Sequence, residues 1–207
     1  MKMKLHKALL RPRPLVWTIL VVLAITGNGV LTQLSYYLNL PLFMDTVFTA
    51  IAAVTGGFAA TVIIGAGTNI ALELLSGPQL VYAPFVLNNV LTGVLVWLFV
   101  RYDYFHKPIH AVAATLIVAG LNSVLGAFFS SVFLSGDGTH TINRITTGIM
   151  LTGRSPSMAA FLARIPVNTV DKGIAVFAAY FVYTRLIREE PDTQDSAVFR
   201  RSGRHNE

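Results

Sequence analysis

Long apolar runs separated by short breaks of polar residues, glycine and proline dominate the sequence from residue 15 to residue 186. The breaks divide this region into six predicted helices, at about residues 15–38, 42–55, 57–75, 80–100, 109–134 and 157–186. A helix rises about 1.5 Å per residue, so all but the second approach or exceed the bilayer's hydrocarbon thickness of about 30 Å. The second would reach about 21 Å and must lie beside thinner membrane or against its neighbours. We therefore predict an all-α membrane protein with a bundle of six transmembrane helices.

The remaining parts of the chain are polar. Residues 1–14 form a basic N-terminal segment, and residues 188–207 have the composition of a disordered tail. Residues 135–155, rich in Gly and Thr, form a predicted loop with a short helix near residues 142–151. Long loops of this kind are often functional lids. The chain thus has one predicted folded unit, the six-helix domain at residues 15–187.

The distribution of basic residues predicts the orientation of the bundle. Of sixteen Lys and Arg residues, five precede the first helix, two lie between the fourth and fifth, and five lie at or beyond the end of the sixth. The positive-inside rule places these three regions in the cytoplasm, so both termini are predicted to be inside the cell, with the bundle in the inner (plasma) membrane. Arg144 and Arg154, in the predicted outer loop, are exceptions.

Overall composition supports the membrane interpretation and excludes some other classes. With 54% hydrophobic and only 13% charged residues, the chain does not resemble a soluble domain of its size. The net charge of +6 comes from residues at the edges of apolar runs, which does not favour nucleic-acid binding. The absence of cysteine excludes disulfides and thiolate chemistry.

The last apolar run contains four polar residues, Arg164, Asn168, Asp171 and Lys172. A charge at the bilayer centre costs about 2.5–3.5 kcal/mol on insertion scales, so these groups must face protein or water. Positions 164, 168 and 171 fall within about 60° of one another around a helix and form one stripe. We predict that Arg164 and Asn168 contact a ligand and that the deeper Asp171 and Lys172 form a structural polar network. The alternative is that all four satisfy one another.

Asparagines recur at comparable depth in three other helices, as Asn69, Asn88 and Asn122. Any one of them, taken alone, is best interpreted as a hydrogen-bonding contact between helices. Their recurrence, together with Arg164, predicts a cavity open to the outside that is suited to an anionic group. The predicted substrate-binding residues are therefore Arg164, Asn168, Asn69, Asn88 and Asn122.

Three further patterns have two interpretations each. The aromatic residues near the outer helix ends form an interfacial belt or a stacking wall for a flat ligand; they are Tyr36, Tyr37, Phe43, Tyr82 and Phe85. Small residues at four-residue spacing in the third helix predict close packing, inside the bundle or with another subunit; they are Gly57, Thr61 and Gly65. Asp45 is predicted to cap the second helix or to pair with its dipole.

Signals for catalysis, metals and cofactors are weak. Neither His106 with His110 nor Asp137 with His140 completes a recognised metal-ligand set. No phosphate-binding loop and no catalytic triad or carboxylate pair is visible. We therefore predict no enzyme activity, no cofactor and no metal.

Several motifs resemble those of substrate-binding S components of energy-coupling factor (ECF) transporters. They are residues 40–46 (Leu-Pro-Leu-Phe-Met-Asp-Thr), Gly56-Gly57, Thr68-Asn69, and residues 163–172 with Arg164, Asn168, Asp171 and Lys172; the resemblance covers about residues 15–187. It implies a subunit that captures a vitamin or other micronutrient from outside. It further implies docking on a transmembrane scaffold subunit driven by two ATPase subunits, and delivery by toppling of the S component. The docking pattern of that family, Ala-x-x-x-Ala in the first helix, has only Ala24 with Asn28 as its nearest match here.

A different class also fits a short six-helix bundle. A non-transport membrane scaffold of the rod-shape (MreD-like) type, or a signalling sensor module, would need no polar cavity reachable by solvent, whereas an importer subunit would. The predicted partners of the importer subunit are a small-molecule substrate, membrane lipid, the scaffold and the ATPases, without nucleic acid.

Overall fold

A computed structural model describes residues 14–77, 79–133 and 141–187. Within these ranges the chain is helical and contains no β-strand. In chain order the helices are α1 (Pro14–Tyr37), α2 (Val47–Thr55), α3 (Gly57–Ser76), α4 (Val86–Arg101), α5 (Pro108–Phe133), α6 (Thr141–Met150) and α7 (Pro156–Val182). A short 3₁₀ turn, Ala83–Phe85, precedes α4, and a π-helical turn, Tyr183–Ile187, follows α7. The predicted tail at 188–207, and all but Pro14 of the predicted N-terminal segment, lie outside the described residues.

In the part of the chain that the structure describes, five helical segments are long and apolar enough to cross a membrane: Pro14–Tyr37, Gly57–Ser76, Ala83–Arg101, Pro108–Phe133 and Pro156–Leu186. Helix α6 corresponds to the short helix predicted near residues 142–151. The chain is thus a helical membrane protein, as its apolar runs predict.

The second predicted helix differs from the prediction. Only Val47–Thr55 is helical, a length of nine residues, or about 14 Å, too short to cross a bilayer alone. Residues 42–46 are not helical, and Met44 has a positive φ of 57°. The physical reason is that the amides of Phe43 and Met44 donate hydrogen bonds to Asp171 Oδ1, at 3.0 and 2.7 Å. These tertiary contacts replace the helical ones that the apolar pattern suggests.

Residues 38–46, which we call the re-entrant segment, turn back into the bundle after α1. Ser35 Oγ donates a hydrogen bond to the Leu42 carbonyl at 2.7 Å, which starts the return. The Phe48 amide, in the first turn of α2, then donates to Asn28 Oδ1 at 2.9 Å. Asn28 and Asp171 lie in the middle of α1 and α7, so α2 begins near mid-bundle. Non-helical backbone is tolerated at such depth only where protein or a cavity surrounds it.

Small residues bring α3 and α4 into close contact. A Cβ added at Gly65 would lie 3.2 Å from the Val90 backbone, and one at Gly93 would lie 2.3 Å from Thr61 Cγ2. Thr61 and Gly65 therefore pack inside the bundle. Gly57 has another role, because its φ of +75° makes the turn between α2 and α3 and no atom lies near its missing Cβ.

Helix α1 faces the bundle with its polar residue Asn28. The Asn28 amide donates to Thr49 Oγ1 at 3.0 Å and to Thr68 Oγ1 at 3.1 Å, and the residue is fully buried. Ala24, one turn earlier, packs against an apolar cluster that contains Val21. The Ala24–Asn28 pair therefore faces the bundle interior rather than a docking surface on lipid.

Helices α5 and α7 pack side by side over most of their length. Their contact contains alanines with no exposed surface, among them Ala111, Ala114, Ala175 and Ala179. Such small side chains let two helix backbones approach closely. The close contact sets the positions of Arg164 and Asn168, which face α5 from one end of α7.

A Gly93→Ala substitution is expected to lower the stability of the bundle by about 1–3 kcal/mol, because the new methyl group would overlap Thr61 and Thr49. Gly120→Ala is the matched control, since no atom lies within 4 Å of its missing Cβ. Thermal unfolding of the two purified variants in the same detergent measures the difference. Equal melting temperatures for both variants would contradict the close α3–α4 packing.

Candidate functional site

A cavity of about 280 Å³ lies at the end of the bundle where α1, α3 and α5 finish and α4 and α7 begin. We call this end the cavity end. The re-entrant segment, the α3–α4 connection and helices α1 and α3 to α7 contribute to its wall. The lining residues are Thr32, Leu42, Phe43, Asp45, Asn69, Gln79, Val81, Tyr82, Phe85, Asn88, Asn122, Gly126, Phe133, Ile142, Asn143, Arg164, Asn168 and Lys172.

All five predicted substrate-binding residues line this cavity: Asn69 from α3, Asn88 from α4, Asn122 from α5, and Arg164 and Asn168 from α7. Of the two residues assigned to a structural network, Lys172 also lines the wall and Asp171 does not. The structure thus brings the predicted polar groups together around one hollow. Their contact with a solute stays a prediction.

Among the described residues, the Arg164 guanidinium has few hydrogen-bond acceptors for its number of N–H donors. Arg164 is 2% exposed, and its guanidinium donates a hydrogen bond to Ser130 Oγ. Its Cζ atom lies 6.0 Å from the Phe43 ring centroid and 5.9 Å from that of Phe85. No carboxylate of residues 14–77, 79–133 or 141–187 forms an ion pair with it. A guanidinium carries several N–H donors, so the described residues leave most of its hydrogen-bonding capacity unused.

A glycine in α5 makes room for this arginine. A Cβ added at Gly126 would lie 3.0 Å from Arg164 Nε and 3.4 Å from Asn88 Nδ2. A larger residue at this position would push the guanidinium out of its place. Gly126 is therefore part of the site, and the sequence analysis did not identify it.

The asparagines are more fully engaged with one another than the sequence analysis expected. Both N–H groups of Asn122 are used, by Thr92 Oγ1 at 3.0 Å and the Val118 carbonyl at 2.9 Å. The Asn88 amide donates to the backbone and side-chain oxygens of Asn122, at 3.0 and 3.1 Å. The side-chain NH2 groups of Asn88 and Asn122 therefore hold α4 and α5 together. The buried Asn88 Oδ1 has no hydrogen-bond partner among the described residues.

The other two asparagines have similar mixed roles. Asn69 donates to the Tyr82 carbonyl at 3.2 Å and accepts at Oδ1 from Asn89 at 2.8 Å. Asn168 donates to Ser123 Oγ at 3.0 Å. The carboxamides thus form a hydrogen-bonded framework that shapes the wall, within which Arg164 keeps the largest free donor capacity.

An ionic cluster lies beneath the cavity. The Lys172 ammonium lies 2.7 Å from Asp171 Oδ2 and 3.4 Å from Asp45 Oδ1, and donates to Thr46 Oγ1 at 3.1 Å. The Asp171 carboxylate also accepts from the amides of the re-entrant segment. Asp171 pairs with Lys172 and not with Arg164, so the two cations of α7 have different environments.

The predicted role of Asp45 as a helix cap is wrong. Thr46 occupies the N-cap position of α2, and no side chain caps that helix by a hydrogen bond. Asp45 instead turns its carboxylate toward Lys172 and the cavity. The reason is that Lys172, 127 positions away in sequence, places a buried ammonium group beside the Asp45 carboxylate.

Glu73 is a third buried carboxylate among the described residues, and it was not among the predicted site residues. Its oxygens accept hydrogen bonds from the amides of Leu80, Tyr82 and Ala83, at 2.6, 2.7 and 3.0 Å. These contacts fold the α3–α4 connection over the cavity end. The only signal in the sequence is a lone carboxylate close to the end of an apolar run.

The aromatic residues divide between the two interpretations given above. Tyr36 and Tyr37 are 50% and 81% exposed, as residues of an interfacial belt are. Phe43, Tyr82 and Phe85 line the cavity instead. The wall therefore combines aromatic faces with polar groups, which is typical of binding sites for small molecules.

No group of three or more metal-ligating side chains occurs in the part of the chain that the structure describes. His106 and His110 have ring centroids 4.7 Å apart, at the end of the bundle opposite the cavity. Asp137 and His140 lie outside the described residues.

Comparisons with known proteins give no match: no family model, no curated protein and no solved structure is similar to this chain. The site must therefore be interpreted from its own geometry.

Lys172→Met is expected to destabilise the protein by about 3–5 kcal/mol, because it leaves Asp171 and Asp45 buried without a cation. Lys107→Met, at an exposed position, is the control and should leave stability nearly unchanged. Thermal unfolding in detergent measures both. The double variant Asp171→Asn/Lys172→Met should lose less stability than the sum of the losses in Asp171→Asn and Lys172→Met measured separately. Wild-type stability of Lys172→Met would show that the cluster does not hold the bundle together.

Proposed function

We propose that this chain is the substrate-capture (S) subunit of an ECF-type importer in the inner (plasma) membrane and that it binds a small anionic solute in the cavity. The observation that carries the proposal is Arg164, a buried guanidinium that lines the cavity and has no carboxylate partner among the described residues. An unpaired ion in a low-dielectric interior costs several kcal/mol. A carboxylate or phosphate of the solute would offset that cost.

The cavity supports solute binding over a scaffold or sensor role. A scaffold needs helix surfaces, whereas this bundle keeps a hollow of about 280 Å³ lined by aromatic rings and polar groups. Volumes of that order suit solutes of modest size. The apolar lipid-facing surface and the polar cavity end are the features an importer subunit requires.

Transport by such a subunit needs an external energy source. The sequence contains no phosphate-binding loop, so the chain has no ATPase motif of its own. We propose that a transmembrane scaffold and two ATPases supply the energy, that both termini of the chain lie in the cytoplasm, and that the cavity end faces outward. The resemblance in residues 40–46 and 163–172 supports this assignment. Since Ala24 and Asn28 face the interior, the docking surface would use other residues.

Arg164→Gln is expected to lower solute affinity about ten- to a hundredfold, because a charge-assisted hydrogen bond contributes about 1.5–3 kcal/mol. Mass spectrometry of small molecules that copurify with the detergent-extracted protein measures the loss. Arg154→Gln removes an exposed arginine near the cavity end and should retain the solute. Equal solute content in wild type and Arg164→Gln would contradict the proposal. The proposal would also be contradicted if the wild-type protein carries no solute and the Arg164→Gln variant does not fold.

Affinity purification from native membranes is expected to recover a multi-span scaffold protein and two ATPases together with the wild-type chain. The reason is that a capture subunit without a motor must associate with one. Purification of an unrelated multi-span membrane protein under the same conditions is the control. Recovery of cell-shape or signalling proteins instead of ATPases would favour the scaffold or sensor alternative.

A further inference from the structure

The cavity has an anionic group in its wall as well as a cationic one. The Asp45 side chain lines it and is 12% exposed, whereas that of Asp171 is fully buried and absent from the wall. The Asp45 carboxylate lies 3.4 Å from Lys172, at the long end of hydrogen-bonding distances. A carboxylate offers about four acceptor positions, so Asp45 retains acceptor capacity toward the cavity.

The fold already engages Lys172, which leaves Arg164 as the better cationic contact for a solute. Its ammonium has three N–H groups, and three acceptors surround it: Asp171, Asp45 and Thr46. Asp171 is likewise used by Lys172 and by two backbone amides. Among the described residues of the wall, the charged side chains with hydrogen-bonding capacity left are therefore Arg164, as donor, and Asp45, as acceptor.

Phe43 lies between these two poles. Its ring centroid is 6.0 Å from Arg164 Cζ and 5.8 Å from Lys172 Nζ, the atom that neighbours Asp45. A solute that reaches both poles would cross the Phe43 ring. Arg164 and Lys172 lie two turns apart on α7, about 12 Å along its axis, so a solute that reaches both poles needs charged groups separated by several bonds.

Among the described residues, Arg164 and Lys172 balance Asp45 and Asp171 when these four groups are ionised, and three backbone amides compensate the separate carboxylate of Glu73. A monoanionic solute would leave an excess negative charge in a poorly solvated space and would face the Asp45 carboxylate. A solute with no net charge but with both an anionic and a cationic group would keep the balance. It would also satisfy both poles.

We propose that the cavity selects an amphoteric solute, whose carboxylate or similar anionic group binds Arg164 and whose protonated amine binds Asp45 across the Phe43 ring. This inference rests on the proposed function and narrows the substrate class from anions to zwitterions whose two charged groups are several bonds apart.

The test uses purified wild-type protein and matched probes. The probes are ω-amino acids such as 6-aminohexanoate, each compared with its deaminated acid, here hexanoate, and its decarboxylated amine, here pentylamine. Isothermal titration and thermal shift in detergent measure binding. At least one zwitterion is expected to bind about tenfold or more tightly than both of its singly charged analogues.

The outcomes separate this inference from the proposed function. Binding of a deaminated acid as tight as that of its zwitterion overturns the amphoteric inference and leaves anion capture standing. Preference for the amine over the zwitterion overturns both, because Arg164 would then play no part. Absence of binding by every probe overturns the amphoteric inference, and the copurification experiment then decides on anion capture by itself.

Variants give a second readout. Asp45→Asn is expected to weaken zwitterion binding about tenfold or more while the deaminated acid binds equally or more tightly. Arg164→Gln is expected to weaken both. Asp103→Asn, a change at a carboxylate that is 83% exposed, is the control and should leave both affinities unchanged. If Asp45→Asn does not fold, the wild-type probe series still decides, since it needs no variant.

Discussion

The attachment of the re-entrant segment to the middle of α7 is the constraint on which the rest of the structure depends. Asp171 accepts hydrogen bonds from two amides of that segment, and Lys172 holds the carboxylates of Asp171 and Asp45 together. Without these contacts the backbone near Phe43 would carry unsatisfied polar groups inside the bundle. One ionic cluster therefore both permits an irregular backbone inside the bundle and brings Phe43 and Asp45 to the cavity wall.

Arg164 and Lys172 lie on the same helix, two turns apart, yet their surroundings differ in kind. Lys172 is enclosed by acceptors from α7 and the re-entrant segment, so its charge is compensated by the fold. Arg164 faces aromatic rings and one hydroxyl, and Gly126 leaves space beside it. Intramembrane charges divide in general into those that stabilise a fold and those that contact a ligand or ion. Here one helix carries one charge that the fold compensates and one that faces the cavity, and the difference arises from what the neighbouring helices present.

Much of the fold follows from the sequence because apolar length and helix geometry are local properties. The five long helices and the polar stripe of α7 are of this kind, since a 3.6-residue period fixes which side chains share a face. The predicted start of α2 is wrong. Residues 42–46 are apolar enough for a transmembrane helix, but the amides of Phe43 and Met44 donate hydrogen bonds to Asp171, and no local sequence pattern indicates that contact. The same limit applies to Glu73 and Asp45, whose partners lie in other segments. The asparagines show it as well, since their spacing is the same whether the amide binds a neighbouring helix or a solute.

One end of the bundle contains the cavity and the rest is closely packed, and the polar side chains at the cavity end contribute to this difference. Away from the cavity end, alanines and glycines let α2, α3, α4, α5 and α7 meet backbone to backbone, as at Gly93 and Ala175. At the cavity end the facing positions hold asparagines and an arginine, whose hydrogen bonds keep the helices apart at fixed distances. Apolar side chains there would fill the space and lose directionality, whereas hydrogen-bonded amides maintain a wall with defined polar positions. The hollow is therefore maintained by the same polar network that brings Arg164 and Asp45 into its wall.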